Sequence, residues 1–328
     1  MPASNPTVGS VHQNRALDNV AIGGYNQNFK LRNIFTPVPV DKETDVIHIW
    51  TAGDILRHEA RKVRPGSKTP RGGFSTSTDT FSLDEWKFAW PIPKRVRMNA
   101  DMAILREMNA ARRVGEKIGL AAEKTIASVL TSTAWTGAST IDAAGGWNMN
   151  TATRDPIIDV TTQKLSIQNT IGKRVNKMAF SYNTYEHLRN NPYILERIGV
   201  TPGSGRPISG ASPSSPAVIN LGILQVLFDV EEIVVVEAIE NTANAGATAS
   251  YSPVLDDWVW LGYVSPTPAI DEPSCGYTFN HREYGSDIRI RTWREDDPEQ
   301  DVTEASAFFQ CKATLLTAGA LIQDVLTT

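Results

Sequence analysis

A single long helix, predicted for residues 100–130, constrains the fold of this 328-residue chain more than any other feature. The segment contains no proline and only two glycines. At about 1.5 Å per residue it would be roughly 45 Å long, whereas an average helix has about 10–14 residues. Small and apolar residues recur every three or four positions, the spacing of one helical face: Ile104, Met108, Ala111, Gly115, Ile118, Ala122, Ile126 and Val129. Since Arg106, Arg113, Lys117 and Lys124 fall on the opposite side, we predict a strut that packs along one stripe.

The segment before the helix, residues 46–90, predicts a long hairpin-like excursion. "DVIHIW" alternates like a strand, and "FSTSTDTFSLDEWKFAW" is rich in residues that favour strands. Between them lies a basic tip, residues 57–71, whose cationic side chains are Arg57, Arg61, Lys62, Arg64, Lys68 and Arg71. An excursion of this size is unusual in a compact domain unless it reaches a partner.

The segment after the helix alternates between helical and strand patterns from about residue 155 to 273, which predicts an α/β lobe. The remaining chain is dominated by strands. Two of these strands are joined by "REDDPEQD", an acidic turn whose carboxylates are Glu295, Asp296, Asp297, Glu299 and Asp301. This turn could attract a divalent cation, but it lacks the calcium-loop pattern, and a solvated turn is the better interpretation.

Charge is distributed unevenly along the chain, although the formal net charge is only -4. Residues 46–130 contain 15 Lys and Arg against 9 Asp and Glu, while residues 131–328 contain 13 against 23. Such asymmetry indicates either a nucleic-acid surface or docking of one part of the molecule on another part of a neighbouring copy. Residues 57–71 contain no aromatic residue on which bases could stack. We therefore rank docking on a neighbour first, a solvated loop second and DNA contact third.

Motifs that would carry chemistry are weak throughout the sequence. Cys275 and Cys311 fit no metal or redox spacing, and His58 and Glu59 lack the second histidine of a zinc-binding H-E-x-x-H motif. "GSGRPISG" at 203–210 follows a predicted helix instead of a strand, so it is not a phosphate cradle. No G-x-S-x-G elbow, secretory signal or long apolar run occurs. We expect no enzyme activity, no cofactor, no metal site and no membrane partner.

The order of these parts resembles the major capsid protein of tailed bacteriophages, which has the HK97-like fold. The resemblance covers nearly the whole chain. Each motif alone is weak, so the resemblance rests on the order and spacing of the motifs. The stretches that carry it are "VPVDKETDVIHIW", "DILRHEARKVRPGS", "EKTIASVLTSTAW", "GGWNMNTATRDPIIDV", "MAFSYNTYEHLRNNPYILERI", "PSCGYTF" and "WREDDPEQDVTEASAFFQCKATLLTAGALIQDV".

The resemblance implies an α+β fold of four parts. Residues 1–45 would be the N-terminal arm and residues 46–98 the extended loop. Residues 99–154 and 274–328 would form the peripheral domain with its long spine helix, and residues 155–273 the α/β axial domain. In this family axial domains meet around fivefold and sixfold axes, and the extended loop lies over a neighbour's peripheral domain. The basic tip would then lie near the acidic turn of an adjacent subunit.

The function implied is a structural one: self-assembly of pentamers and hexamers into the icosahedral head that encloses double-stranded DNA in the virion. Assembly would occur in the host cytoplasm. The short arm implies a separate scaffolding protein without cleavage, and portal and decoration proteins are further expected partners. DNA would be held only by weak, non-specific contacts. An encapsulin-like nanocompartment shell and a soluble oligomeric α/β enzyme remain the alternatives.

Overall fold

The computed structural model describes residues 29–50, 53, 56–73, 75–98, 103–136, 141–149, 152–198, 219–244, 246–268, 272–284 and 288–327. The helices in this part of the chain are α1 (Lys94–Met98), α2 (Ala103–Ser132), α3 (Pro156–Ile171), α4 (Tyr182–Arg189), α5 (Pro192–Arg197) and α6 (Leu221–Phe228). Short 3-10 helices occur at Leu31–Asn33 and Leu316–Ala318.

The strands are β1 (Thr36–Val40), β2 (Thr44–Trp50), β3 (Thr76–Ser82), β4 (Asp84–Pro93), β5 (Ile141–Asp142), β6 (Lys177–Ser181), β7 (Glu232–Val236), β8 (Ile239–Asn241), β9 (Tyr251–Pro253), β10 (Val259–Gly262), β11 (Gly276–His281), β12 (Arg289–Asp296), β13 (Glu299–Ala313) and β14 (Gly319–Gln323). Helices and sheets of mixed direction confirm the α+β class.

The long helix is confirmed as α2, which has 30 residues. Its predicted stripe is buried at Ala111, Gly115, Ile118, Ala122 and Ile126. The stripe packs on the inner face of β12 and β13 in a cluster that includes Ala305 and Ala307, and small residues on both sides let the two backbones approach closely. The predicted opposite side is exposed at Arg113, Lys117 and Lys124. The side chains of Ile104, Arg106 and Met108 lie outside the described residues.

The sheet under α2 is built around β13. β4 pairs with one edge of β13, while β12 and β11 follow one another along the other edge. β1 completes the sheet as an edge strand parallel to β11. This edge position suits Pro37 and Pro39, since proline has no backbone N–H to donate to a neighbouring strand.

The lobe is a second sheet with the strand order β5-β14-β10-β6-β7. α3 begins where Asp155 accepts a hydrogen bond from the Ile157 N–H at 2.9 Å, with Pro156 in the first turn. β14 belongs to residues 274–328, where the family resemblance implies the peripheral domain, yet it pairs with β10 of the lobe. The C-terminal segment therefore contributes to both sheets.

The predicted excursion contains the antiparallel hairpin β2–β3, paired from Thr44–Ser82 to Trp50–Thr76. Its base is fixed to the first sheet, where the Phe81 and Phe279 rings stack with centroids 4.6 Å apart. Asp79 and Lys312 form an ion pair of 2.7 Å at the same place. The excursion is therefore held at its base by contacts with the first sheet.

Candidate inter-subunit surfaces

The basic tip is exposed along its whole length. Every residue from 57 to 71 is exposed, and the segment has no regular secondary structure beyond a turn near residue 66. Arg57 forms an ion pair of 3.5 Å with Glu59 in the same segment. Just before the tip, Leu56 lies at the end of α3, since a Cβ atom at Gly172 would be 3.1 Å from the Leu56 Cδ2 atom. The cationic side chains Arg61, Lys62, Arg64, Lys68 and Arg71 therefore face solvent.

The acidic turn joins β12 to β13, and part of it is neutralised within the chain. Lys94 of α1 pairs with Glu299 at 2.8 Å, and Arg97 pairs with Asp301. The bond from Lys94 holds the pKa of Glu299 below its usual value. The partners of Glu299 and Asp301 in the described residues thus come from α1 and not from the basic tip.

The other carboxylates of the acidic turn differ from one another. Glu295 is half-buried and accepts hydrogen bonds from the Trp293 indole N–H, at 3.1 Å, and from the Gln300 amide. Asp296 and Asp297 are exposed. Glu299 is exposed as well, but it is already paired with Lys94.

An open groove separates β4 from the N-terminal half of α2. It has a volume of about 650 Å³ and is lined by Trp90 and Ile92 of β4, Val96 of α1, and Asn109, Arg112 and Glu116 of α2. Trp90 is 45% exposed and Val96 is 44% exposed. A large indole and a β-branched side chain therefore face water in one groove.

A buried carboxylate fixes the beginning of the described chain to α2. Glu123 is only 1% exposed. It accepts hydrogen bonds from the backbone N–H groups of Lys30, at 3.1 Å, and Leu31, at 3.0 Å. Burial raises the pKa of Glu123 to about 7, although these backbone donors favour the ionised form. Leu31, Ile34 and Phe35 are fully buried beside this contact.

The described part of the chain has neither a metal-binding cluster nor a membrane-spanning helix. It contains no group of three or more His, Cys, Asp or Glu side chains placed to hold a metal ion. None of its helices combines the length and the apolar character needed to cross a membrane. Cys275 and Cys311 are buried free thiols, and burial raises the pKa of both.

The whole chain is similar in sequence and in structure to known proteins. No family model matches the chain. It is 24% identical over 318 residues to the major capsid protein of Burkholderia phage BcepMu, a match that covers 94% of this chain and 95% of that protein. The crystal structure of a phage-related protein from Bordetella bronchiseptica RB50 superimposes with a TM-score of 0.69 at 23% identity, covering 97% of this chain and 99% of that one.

The capsid of Cyanophage P-SCSP1u also superimposes, with a TM-score of 0.54 at 11% identity, covering 98% of this chain and 92% of that one. The chain has the HK97-like capsid fold. The resemblance to the major capsid proteins of tailed bacteriophages is therefore confirmed.

The α/β lobe presents one further exposed surface, which the sequence analysis did not predict. α3 and α6 expose Ile158 at 59%, Leu165 at 53% and Val226 at 82%, and neither helix has an exposed charged side chain. Lys164 is turned inward, where its ammonium donates to the carbonyl oxygens of Phe228 and Asp229. Depletion of charge with exposed aliphatic residues is typical of the centre of a protein interface.

Proposed function

We propose that the chain is the major capsid subunit of a tailed bacteriophage, which assembles as pentamers and hexamers into the icosahedral head around double-stranded DNA. The end-to-end match to a phage major capsid protein, over 94% of this chain, carries this proposal. The same comparisons point to a structural role instead of an enzymatic one. The direct test is whether the purified protein, alone or co-expressed with its neighbouring genes, forms closed shells.

The parts of the subunit have distinct roles in this proposal. The arm comprises residues 1–45, of which residues 1–28 lie outside the described part of the chain. The extended loop comprises residues 46–98, and the peripheral domain comprises residues 99–154 and 274–328 with α2 as its spine. Residues 155–273 form the axial domain, to whose sheet β5 and β14 also contribute. The uncharged face of α3 and α6 would contact the axial domain of the next copy.

Other partners follow from the same proposal. A separate scaffolding protein would direct assembly in the host cytoplasm, a portal would occupy one vertex, and decoration proteins could bind outside the finished virion. The excess of carboxylates in residues 131–328 supports only weak, non-specific contact with packaged DNA, because strong phosphate binding needs clustered Lys and Arg.

Electrostatic contacts would align the extended loop on the neighbouring subunit. The basic tip would lie over the acidic turn of an adjacent subunit. Asp296 and Asp297 would be its principal anionic partners, because both are exposed while Glu299 and Asp301 are paired with α1. Glu299 and Asp301 would have to exchange their partners Lys94 and Arg97 to take part. Exposed ion pairs contribute only about 0–1 kcal/mol each, so these pairs would set register while apolar burial supplies most of the affinity.

Reversing the exposed carboxylates should weaken assembly without unfolding the subunit. With Asp296→Lys and Asp297→Lys together, we expect a lower yield of closed shells and a changed dependence on salt concentration, since two attractive contacts become repulsive. Shell yield would be measured by sedimentation across a salt series, and the melting temperature of the free subunit would be the check on folding.

Adding Arg64→Glu and Lys68→Glu to the same chain supplies the matched rescue, because it restores opposite charges across the proposed contact. We expect this combination to recover part of the lost yield. Normal assembly by the lysine variant, or failure of the glutamate pair to improve it, would remove the basis for this contact.

A further inference from the structure

The strand β4 has a free edge. One edge of this ten-residue strand pairs with β13, and no other strand among the described residues pairs with its opposite edge. All of its residues except Trp86 and Ile92 are exposed. An edge strand with unpaired backbone groups is a template for pairing with another chain.

The prolines of β4 indicate which backbone groups point towards the free edge. Proline has no N–H to donate, so within a sheet it is confined to positions where that group would face away from the paired strand. Pro91 and Pro93 therefore have their nitrogen atoms directed away from β13. Because the orientation of the backbone alternates along an antiparallel strand, Glu85, Lys87 and Ala89 direct their N–H and C=O groups to the same free edge.

The aromatic side chains along β4 have the same order in both directions. In "WKFAW", residues 86–90, Trp86, Phe88 and Trp90 alternate with smaller or charged residues and so lie on one face of the sheet. This is the face of α2, since Trp86 packs against the cluster on the stripe of α2. Phe88 is nevertheless 41% exposed. If two copies of β4 paired antiparallel about Phe88, each Trp86 would lie opposite Trp90 of the other copy, and such cross-strand aromatic pairs stabilise a sheet.

The charges at the two ends of β4 are complementary in the same arrangement. The strand begins with Asp84 and Glu85, and it is followed by α1, which begins with Lys94 and Arg95. Asp84 and Arg95 are exposed, and neither has an ion-pair partner among the described residues. Antiparallel pairing would bring the acidic start of each strand to the basic α1 of the other copy. Opposite charges placed in this way fix the register of an interface.

The spacing of the sheet leaves room for both copies of α2. A two-fold axis perpendicular to the sheet would place the two copies of α2 on the same face. Adjacent strands are about 4.8 Å apart, so β13 and its copy would be separated by three spacings, about 14 Å. A helix with its side chains has a diameter of about 10–12 Å. The groove that Trp90 and Val96 line would then lie between the two helices.

We infer that β4 is a self-pairing edge, at which a second copy of this chain binds. The two β4 strands join antiparallel around a two-fold axis with Phe88 opposite Phe88, and the two five-stranded sheets become one continuous sheet. Lys87 of each copy exchanges backbone hydrogen bonds with Ala89 of the other. The contact is complete with two copies, so it does not require a closed shell.

Disulfide trapping in the full-length chain tests this symmetry with a single substitution. In Phe88→Cys, the new thiol would lie opposite the same thiol of the second copy, in a pair without backbone hydrogen bonds, where side chains are closest. The matched control is Lys87→Cys, since Lys87 is also exposed but lies on the other face of the sheet and opposite Ala89. Cys275 and Cys311 are buried and can be retained.

We expect Phe88→Cys to form a disulfide-linked dimer about tenfold faster than Lys87→Cys, because pairing raises the effective concentration of the two thiols. Adding Ala89→Pro removes an outward N–H and should lower this rate to that of the control. The melting temperature of each variant checks that the subunit remains folded. Equal rates for the Phe88 and Lys87 variants, or a rate that Ala89→Pro leaves unchanged in a folded subunit, would overturn the inference.

A mixture of Phe88→Cys with a tagged Arg64→Cys chain tests another occupant. A disulfide that forms mainly between these two chains would assign the edge to a neighbour's basic tip and overturn self-pairing.

The rates are measured both in concentrated free subunits and in particles, so their outcome is separate from that of the proposed function. Closed shells in which Phe88→Cys shows no advantage over its control would support the shell proposal and contradict self-pairing. A clear advantage in subunits that never assemble would support self-pairing and contradict the shell proposal.

Discussion

Glu123→Gln should flatten the dependence of subunit stability on pH, and Glu123→Ala should destabilise the fold most at low pH, where the wild-type carboxyl group is protonated. Burial raises the pKa of Glu123 from 4.5 to about 7, so the folded state holds this proton more tightly than the unfolded chain does. Stability therefore falls as the pH rises from about 4.5 to about 7. A pKa difference of this size corresponds to about 3 kcal/mol.

The two substitutions separate charge from hydrogen bonding. Glutamine keeps an oxygen that can accept the Lys30 and Leu31 N–H groups but has no charge to bury. Alanine leaves the buried Leu31 N–H without an acceptor, which costs about 1–3 kcal/mol. Urea unfolding of the free subunit at pH 5.5 and pH 8 measures both effects. A wild-type stability that rises between these pH values, or a glutamine variant with an unchanged slope, would contradict the role given to Glu123 in holding the arm.

Replacing residues 57–71 with a glycine- and serine-rich linker of equal length should abolish closed shells and leave the subunit folded. Because the whole basic tip is exposed, its removal takes almost no buried surface from the free subunit. Each lost exposed contact is worth only about 0–1 kcal/mol. However, the loss recurs at every copy in a shell, so assembly should respond far more strongly than folding.

The matched control for this replacement keeps all six cations of the basic tip but shuffles the order of the residues between them. If the contact depends on the positive charges of the basic tip, the variant with the shuffled tip should form more closed shells than the variant with the linker. Shell yield by sedimentation and the melting temperature of the subunit are the two measurements. Wild-type yield from the linker variant would show that the basic tip has no role between subunits.

Local patterns in the sequence were sufficient to predict most elements of the fold. The stripe from Ala111 to Ile126 predicted α2 because helical periodicity is a property of neighbouring residues. Pro37 and Pro39 are compatible with an edge strand, and Pro156 suits the first turn of α3. Each of these signals depends on residues close together in the chain, so no tertiary information was required.

Features that depend on distant residues could not be predicted in the same way. In the sequence, Glu123 resembles any other charged residue of a long helix, and its burial depends on Leu31, which is 92 positions away. Likewise, the sequence presented the acidic turn as one surface, while the fold brings Lys94 to Glu299 across 205 positions. The strand pattern of β14 was recognisable, but its pairing with β10 was not.

Electron microscopy of the purified protein, alone and co-expressed with its neighbouring genes, tests the central claim most directly. We predict closed icosahedral shells built from pentamers and hexamers, and particles from infected or induced cells that contain nuclease-protected DNA. Closed shells filled with an enzyme cargo would instead identify a nanocompartment. A small oligomer of fixed size under both conditions would contradict the assignment as a capsid subunit.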